Sequence, residues 1–323
     1  MKAVITPHGF PNVNQEKALL AEIGVELEEI KSLDPQEIGE LSRDAEVLFV
    51  QYAKITKDTI VQLEKCKVII RYGIGVDNVD LEAAAAKGIY VCNVPHYCGD
   101  EVADHTFCLM LAAARKLVSV SRQVQAGNWD FINQRPIYSL AGHVLGLIGC
   151  GYIAQKVAVR AQAFGMQVVA YDPWLRSDLA DKLNIKLVEL EQLCAQSDYI
   201  SLHIPLTSDT HHYVDARLMA MMKTGVVLIN TARGGLIDEQ AAKQALESGH
   251  VGMICLDVLE EEPPHDNHPL IDAPQAIITP HMAYYSEASL PRLQKLAAEE
   301  AVRVLRGEPP LAPVNDKWMS KQN

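Results

Sequence analysis

The stretch GLIGCGYIAQKVA, residues 146–158, decides the fold. An apolar run ends at Gly149, Gly151 follows, and Ala154 completes a G-x-G-x-x-A pattern where a helical period begins. Gly149 permits a tight turn, Gly151 lets the backbone approach a pyrophosphate, and Ala154 keeps the helix close to its strand. The helix N-terminus then offers free N–H groups to an anion. Glycines also mark plain turns, so the hexamer needs its context. It follows an apolar strand, opens a helix, and is answered by Asp172 at the end of VVAYD. A carboxylate there accepts from ribose hydroxyls and repels a 2′-phosphate, which favours NAD over NADP. The alternative is a turn former before Pro173. Arg176 lies close enough to soften the preference.

Outward from this turn, short apolar runs alternate with helix-period segments, the pattern of α/β folds with mostly parallel sheets. HVLGLIG, MQVVAYD, DYISLHI, GVVLINT, VGMICLDV and AIITPH supply six strands, enough for a dinucleotide-binding sheet. Upstream, KAVITP, EVLFV, CKVIIRY and YVCNV supply four more, in what reads as a small doubly wound sheet. NQEKALLAEIG reads as a helix stopping at Gly24, and Asp34 before Pro35 as an N-cap with proline in the first turn. Ala103, Phe107, Met110, Ala114 and Leu117 recur at helical intervals and predict one helix from Asp100 to about Leu117. Gly127 to Ala141 is irregular, and a last long helix is expected near Ser286 to Arg306.

The chain has 323 residues, 49% hydrophobic and 22% charged, which suits two globular domains. No apolar run approaches the roughly 20 residues of a membrane span. The start lacks a signal-peptide pattern, so a cytoplasmic protein is expected. A net charge of −12 without a Lys/Arg cluster argues against nucleic acid. The seven cysteines are scattered and never spaced C-x-x-C, which fits buried apolar side chains in a reducing compartment.

NTARGGLID, residues 230–238, sets Arg233 at the mouth of a buried strand with Gly234 and Gly235 behind it. Ligands of open α/β sheets bind beyond the carboxyl ends of strands. A guanidinium there suits a carboxylate bidentately, and the glycines are read as clearing room for a small ligand. An Arg that caps or pairs within the protein is the alternative. Two further strand ends favour the first reading. LDVLEEEPP places Glu262 after the strand holding Asp257, and IITPHMAYYS places His281 after another. Histidine handles protons near neutral pH, and a neighbouring carboxylate favours its charged form and fixes its orientation. Singly, Glu262 belongs to an acidic run and His281 to a loop.

At these residues the chain resembles the D-isomer-specific 2-hydroxyacid dehydrogenases, through NTARGGLIDE, LDVLEEEP and TPH in that order. The resemblance implies catalytic Arg233, Glu262 and His281. It implies a homodimer acting on a small 2-oxo or 2-hydroxy acid, with no nucleic-acid or membrane partner. The implied fold is two doubly wound parallel-sheet domains. A Rossmann NAD domain, 100–289, is inserted into a discontinuous flavodoxin-like substrate domain, 1–99 with 290–323. The implied NAD site comprises Gly149, Gly151, Tyr152, Ile153, Asp172, His203, Pro205, Thr231, Ala232, Arg233, Asp257 and His281, with Asp257 on the nicotinamide amide. The implied substrate residues are Arg71, the amides near Ile74 and Gly75 in RYGIGVDNVD, Arg233 and Tyr284. YDPWL and TPHMAYYSEAS look most like the C-terminal-binding-protein branch, which includes NAD-linked transcriptional corepressors. Tyr284 stands where that branch has tryptophan, and His105 where it has a serine, so a buried helix histidine is the reading kept for His105. An NAD-sensing interaction protein is therefore the alternative function, and a phosphorylated acid using Lys54 a third. His265-x-x-His268 with Asp266 reads as a loop and His211–Tyr213 as surface, so no metal is expected.

Overall fold

In a computed structural model, which describes residues 1–319, the chain divides into two units. One comprises Met1–Cys98 and the chain from Tyr285 onward; the other is Gly99–Tyr284. The second boundary falls a few residues ahead of the expected 289/290.

The first unit holds β1 (Lys2–Ile5), β2 (Glu26–Glu29), β3 (Val47–Val50), β4 (Val68–Arg71) and β5 (Tyr90–Cys92). All pair in parallel in the order β2-β1-β3-β4-β5, the flavodoxin-like arrangement. β2 has no counterpart among the strands read from sequence. It is an edge strand, ELEE, with only Leu27 buried, so it carries no apolar run. Asp34 caps its helix as expected, accepting from the amides of Gln36 and Glu37, with the helix at Pro35–Leu41. The first helix ends at Ala21, before Gly24.

The second unit holds β6 (Val144–Ile148), β7 (Gln167–Tyr171), β8 (Lys186–Leu187), β9 (Tyr199–Leu202), β10 (Val226–Asn230), β11 (Val251–Leu256) and β12 (Ala276–Ile278). The parallel order is β12-β11-β10-β9-β6-β7-β8. Counted from β6, that is the Rossmann order 3-2-1-4-5-6 with one strand added. The sheet has seven strands rather than six, because β8 spans two residues and leaves no periodic signal. Strand side chains alternate between two cores. Leu145, Leu147, Val168, Ala170, Ile229 and Cys255 pack on one face. Ile148, Val169, Ile200, Leu202, Leu228 and Ile254 pack on the other. Both faces are covered, which is why these strands read as continuous apolar runs.

The helix expected from Asp100 to Leu117 is two. Gly99–Ala114 ends before Lys116, which takes a left-handed backbone (φ 49°), and Leu117–Gln125 begins a separate helix. The apolar period ran across the break because Leu117 happens to keep its phase. The last long helix is Ser289–Leu305. All seven cysteines are free thiols and five are buried.

Candidate active site

The glycine turn joins β6 to the helix Tyr152–Ala163. Gly149 takes a left-handed backbone, φ 84°. A Cβ there would also stand 2.7 Å from the His203 carbonyl oxygen. Gly149 is thus required twice, by its own turn and by the close approach of the loop after the neighbouring β9. Gly151 is different. Its φ of −73° suits any residue, and a Cβ there would meet open space. Glycine suits the N-cap position it holds, and the open space beside it leaves room for an external group; the N-terminus of a helix is where an anionic one is stabilised. The residues fit a dinucleotide. Gly151→Ala is therefore expected to fold normally, to change stability by less than about 1 kcal/mol because the poorer N-cap offsets the reduced unfolded-chain entropy, and to bind NADH more weakly. Denaturant unfolding and fluorescence titration together check both halves.

Asp172 serves both readings made from the sequence. Its Oδ2 accepts from the Cys150 amide at 2.7 Å, and its Oδ1 from Trp174 at 2.8 Å and Leu175 at 3.2 Å. It forms the turn at Pro173 and ties the end of β7 to the glycine turn, while remaining partly exposed. Arg176 is engaged elsewhere, in a two-bond pair with Asp178 at 2.9 and 2.8 Å. Burial pushes the Cys150 thiol up to about 12, so it stays neutral beside the turn. Burial also lowers His203 to about 4, which keeps that imidazole neutral. Its Nε2 lies 2.9 Å from Ser201 Oγ.

Arg233, Glu262 and His281 lie on the loops after β10, β11 and β12. His281 Nδ1 is 2.6 Å from Glu262 Oε2. The second oxygen of Glu262 accepts from the Leu259 amide at 2.9 Å. Burial pushes the Glu262 pKa up. The hydrogen bond and charge of His281, the Leu259 amide and the Arg233 guanidinium outweigh it, and the net shift is below the ordinary 4.5. The Arg233 field thus reaches the same carboxylate, and all three side chains converge within one unit. Arg233 Nη1 donates to the Ala232 carbonyl at 2.7 Å. Buried Asn230 shapes that turn, giving its side-chain amide to the Arg233 carbonyl at 2.8 Å and accepting from Ala232 at 2.9 Å.

The glycines after Arg233 have another purpose than the one expected. A Cβ on Gly234 would fall on the carbonyl group of Leu259 and the amide nitrogen of Glu260, all backbone. Gly234 lets the loop carrying Glu262 press directly on the loop carrying Arg233. Gly235 faces the side chains of Leu206 and His211 instead.

His281 has a left-handed backbone, φ 51°. Its amide donates to the Asp257 carbonyl at 2.8 Å. The Asp257 carboxylate, 1% exposed, accepts from the amides of Met282 at 3.0 Å and Ala283 at 2.7 Å and from the Thr279 hydroxyl at 2.6 Å. Asp257 is spent on the turn that aims His281. His105, half-buried on its helix, brings Nε2 within 2.9 Å of Thr279 Oγ1 and 3.4 Å of Asp257. Thr279 and Asn230 were not singled out from sequence; a polar residue closing a buried strand was the available signal. Thr231 Oγ1 meets Thr106 Oγ1 at 2.8 Å. Tyr284 packs edge-on to His281, ring centres 6.2 Å apart.

In the first unit, Arg71 ends β4 and the loop after it carries Ile74 and Gly75. Gly73 there has φ 131°, and the Arg71 guanidinium occupies the place of its missing Cβ. Asn93 Nδ2 donates to the Ile74 carbonyl at 2.6 Å.

Lowered Glu262 has a consequence for stability. A carboxylate whose pKa falls on folding stabilises fully above its unfolded value and loses that contribution as pH falls through the folded one. The stability gap between the wild type and Glu262→Gln is expected to be level down to about pH 4.5, the reference value for a glutamate, and to narrow below it. Urea unfolding across that range measures it.

A family model matches residues 107–283, described as the NAD binding domain of D-isomer specific 2-hydroxyacid dehydrogenases. The chain belongs to this family. The D-3-phosphoglycerate dehydrogenase of Methanocaldococcus jannaschii is 43% identical over 90% of this chain and 55% of its own length. The chain thus spans about half of that relative. The hydroxypyruvate reductase of Thermotoga maritima is 41% identical over 77% of this chain and 81% of its own. Among solved structures, D-lactate dehydrogenase from Aquifex aeolicus, complexed with NAD and lactic acid, is 28% identical. It has a TM-score of 0.84 and covers 99% of this chain and 98% of its own. All three are dehydrogenases or reductases by name, and the corepressor alternative gains no support from them.

Proposed function

We propose that the protein interconverts a small D-2-hydroxy acid and its 2-oxo acid, using NAD. The observation that carries the reading is the 2.6 Å pair of His281 and Glu262 beside Arg233, in the unit that also holds the glycine turn. Gly149, Gly151, Tyr152, Ile153, Asp172, His203, Pro205, Thr231 and Ala232 would hold the coenzyme, which would supply or accept the hydride. The chain's own residues do the rest. With Nδ1 donating to the ionised Glu262, His281 presents Nε2 to the substrate oxygen. In reduction it gives that oxygen a proton while the carbonyl carbon receives hydride; in oxidation it takes the proton back. General acid–base help of this kind contributes about 10²–10⁴-fold. Arg233 holds the substrate carboxylate and polarises the carbonyl, a positioning and electrostatic role. Arg71, Ile74, Gly75 and Tyr284 are assigned to substrate recognition, and Asp257 to the nicotinamide side through the turn it fixes.

The test follows NADH absorbance against 2-oxo acids that differ in size and charge, one of them phosphorylated. Saturable NADH binding without turnover on any of them refutes the reading. A clear advantage for NADPH refutes the role given to Asp172.

A cytoplasmic homodimer completes the proposal. Seven free thiols suit a reducing compartment. Among the described residues no helix is long and apolar enough to cross a membrane. Trp129 is 89% exposed, and Leu117, Phe131, Ile132 and Tyr138 are also uncovered. Leu117 also lines, with Phe107, Cys108, Leu111 and Phe164, a groove of about 740 Å³. An apolar surface of this kind marks an interface. Sedimentation of the wild type and of Trp129→Asp should show a dimer and its weakening.

A further inference from the structure

Another group of side chains in the Gly99–Tyr284 unit has the composition of a metal site. His211 and His212 lie on the segment after β9, and Glu260 on the loop after β11. His211 Nε2 is 3.1 Å from Glu260 Oε1, and His212 Nε2 is 3.1 Å from both carboxylate oxygens. The donor atoms all lie within 4.8 Å of one another. The two imidazoles stack, centres 4.0 Å apart and planes 28° apart, so both present the same edge to one carboxylate. Around a tetrahedral zinc ion with bonds of about 2.0–2.1 Å, neighbouring ligand atoms stand about 3.3 Å apart. The three imidazole–carboxylate spacings, 3.1 Å each, lie a few tenths of an ångström from that.

The donors are also held in place. His212 keeps a left-handed backbone, φ 51°, with its amide on the Gly235 carbonyl at 2.8 Å. The Glu260 amide donates to Glu239 at 2.9 Å, and His268 Nε2 stands 2.8 Å from that carboxylate. One imidazole is enough to pair an exposed carboxylate, and a surface ion pair returns little stability for ordering a second. An N₂O donor set suits zinc, copper(II) or nickel(II) better than magnesium or calcium.

We propose that His211, His212 and Glu260 bind a divalent ion of the zinc class, with water completing its coordination. The ion joins the segment after β9 to the loop that carries Glu262 two residues on, and so braces that loop. His265 and His268 belong to other pairs, with Glu261 and Glu239, and take no part. The proposal does not depend on the reaction assigned above, because its readout is binding.

The test titrates ZnCl₂ into the chelator-dialysed full-length protein by calorimetry, beside His211→Asn, His212→Asn and the double variant. One saturable equivalent is expected in the wild type, weakened about tenfold or more in each single variant and lost in the double. Zinc should raise the Tm of the wild type and leave that of the double variant unmoved. Amides of residues 259–262 should exchange more slowly with zinc only when both histidines are present. Undiminished binding in the double variant, which would put the ion elsewhere, such as on His281 and Glu262, overturns the proposal. So does the lack of a saturable equivalent in the wild type.

Discussion

His281→Asn is expected to lower kcat by about 10²–10⁴-fold, the span attributed to a positioned general acid–base. Asparagine is the informative substitution because His281 has φ 51°. Asparagine enters the left-handed region more readily than most residues, so the turn built on Asp257 survives. What is removed is the group that exchanges a proton near neutral pH. NADH affinity should hold, since the glycine turn is untouched, and KM should move far less than kcat, because Arg233 still holds the acid. Adding Glu262→Gln should cost little more, as residues that act as a unit are not additive. Steady-state kinetics with stopped-flow NADH binding measures all of this. A rate within threefold of the wild type would remove His281 from the chemistry.

Gly234→Ala is expected to lower kcat/KM by about 10²-fold or more while adding one methyl group and neither adding nor removing a titrating atom. That methyl would collide with the backbone of Leu259 and Glu260, which cannot rotate aside as a side chain can. The loop must lift, and with it the Leu259 amide that holds Glu262 and the carboxylate that holds His281. A displacement near 1 Å at a reacting group can cost 10²-fold. Overpacking of this kind also costs typically 1–3 kcal/mol of stability, which urea unfolding would report. NADH binding provides the internal control. Normal turnover in Gly234→Ala would mean that the close approach does not set the geometry. Gly235→Ala, which meets only side chains, is the milder comparison.

Much of this was legible in the chain itself. A strand buried on both faces cannot hide, so β6, β7, β9, β10 and β11 stood out as apolar runs, and β12, half-buried at the sheet edge, did so through its two isoleucines. The Gly-rich turn announced its place because a turn, a strand and a helix must all agree there. Arg233, Glu262 and His281 were legible because each follows a strand end, where open sheets bind ligands. The losses have physical causes too. β2 exposes its glutamates at a sheet edge and β8 is two residues long. Neither buries enough to show a period. Gly234 was misread because its constraint comes from backbone some 25 residues later in the sequence, which no local pattern encodes. The part Asp257 plays in the His281 turn was not legible, because its three donors lie 22 to 26 residues further along the chain. His211 and His212 read as surface, and they are; only the fold brings Glu260 to them.

The division of the chain carries a last consequence. Gly99–Tyr284 is uninterrupted in sequence and contains the coenzyme turn together with the guanidinium, imidazole and carboxylate proposed to do the chemistry. Two crossovers, one on each side of that block, would move the whole proposed apparatus as a single graft. A block bounded at Cys98/Gly99 and Tyr284/Tyr285 should therefore carry the glycine turn and the His281–Glu262 pair with it intact. In such an architecture, recombination can pass the proposed catalyst on whole, because no part of it is encoded outside one uninterrupted stretch.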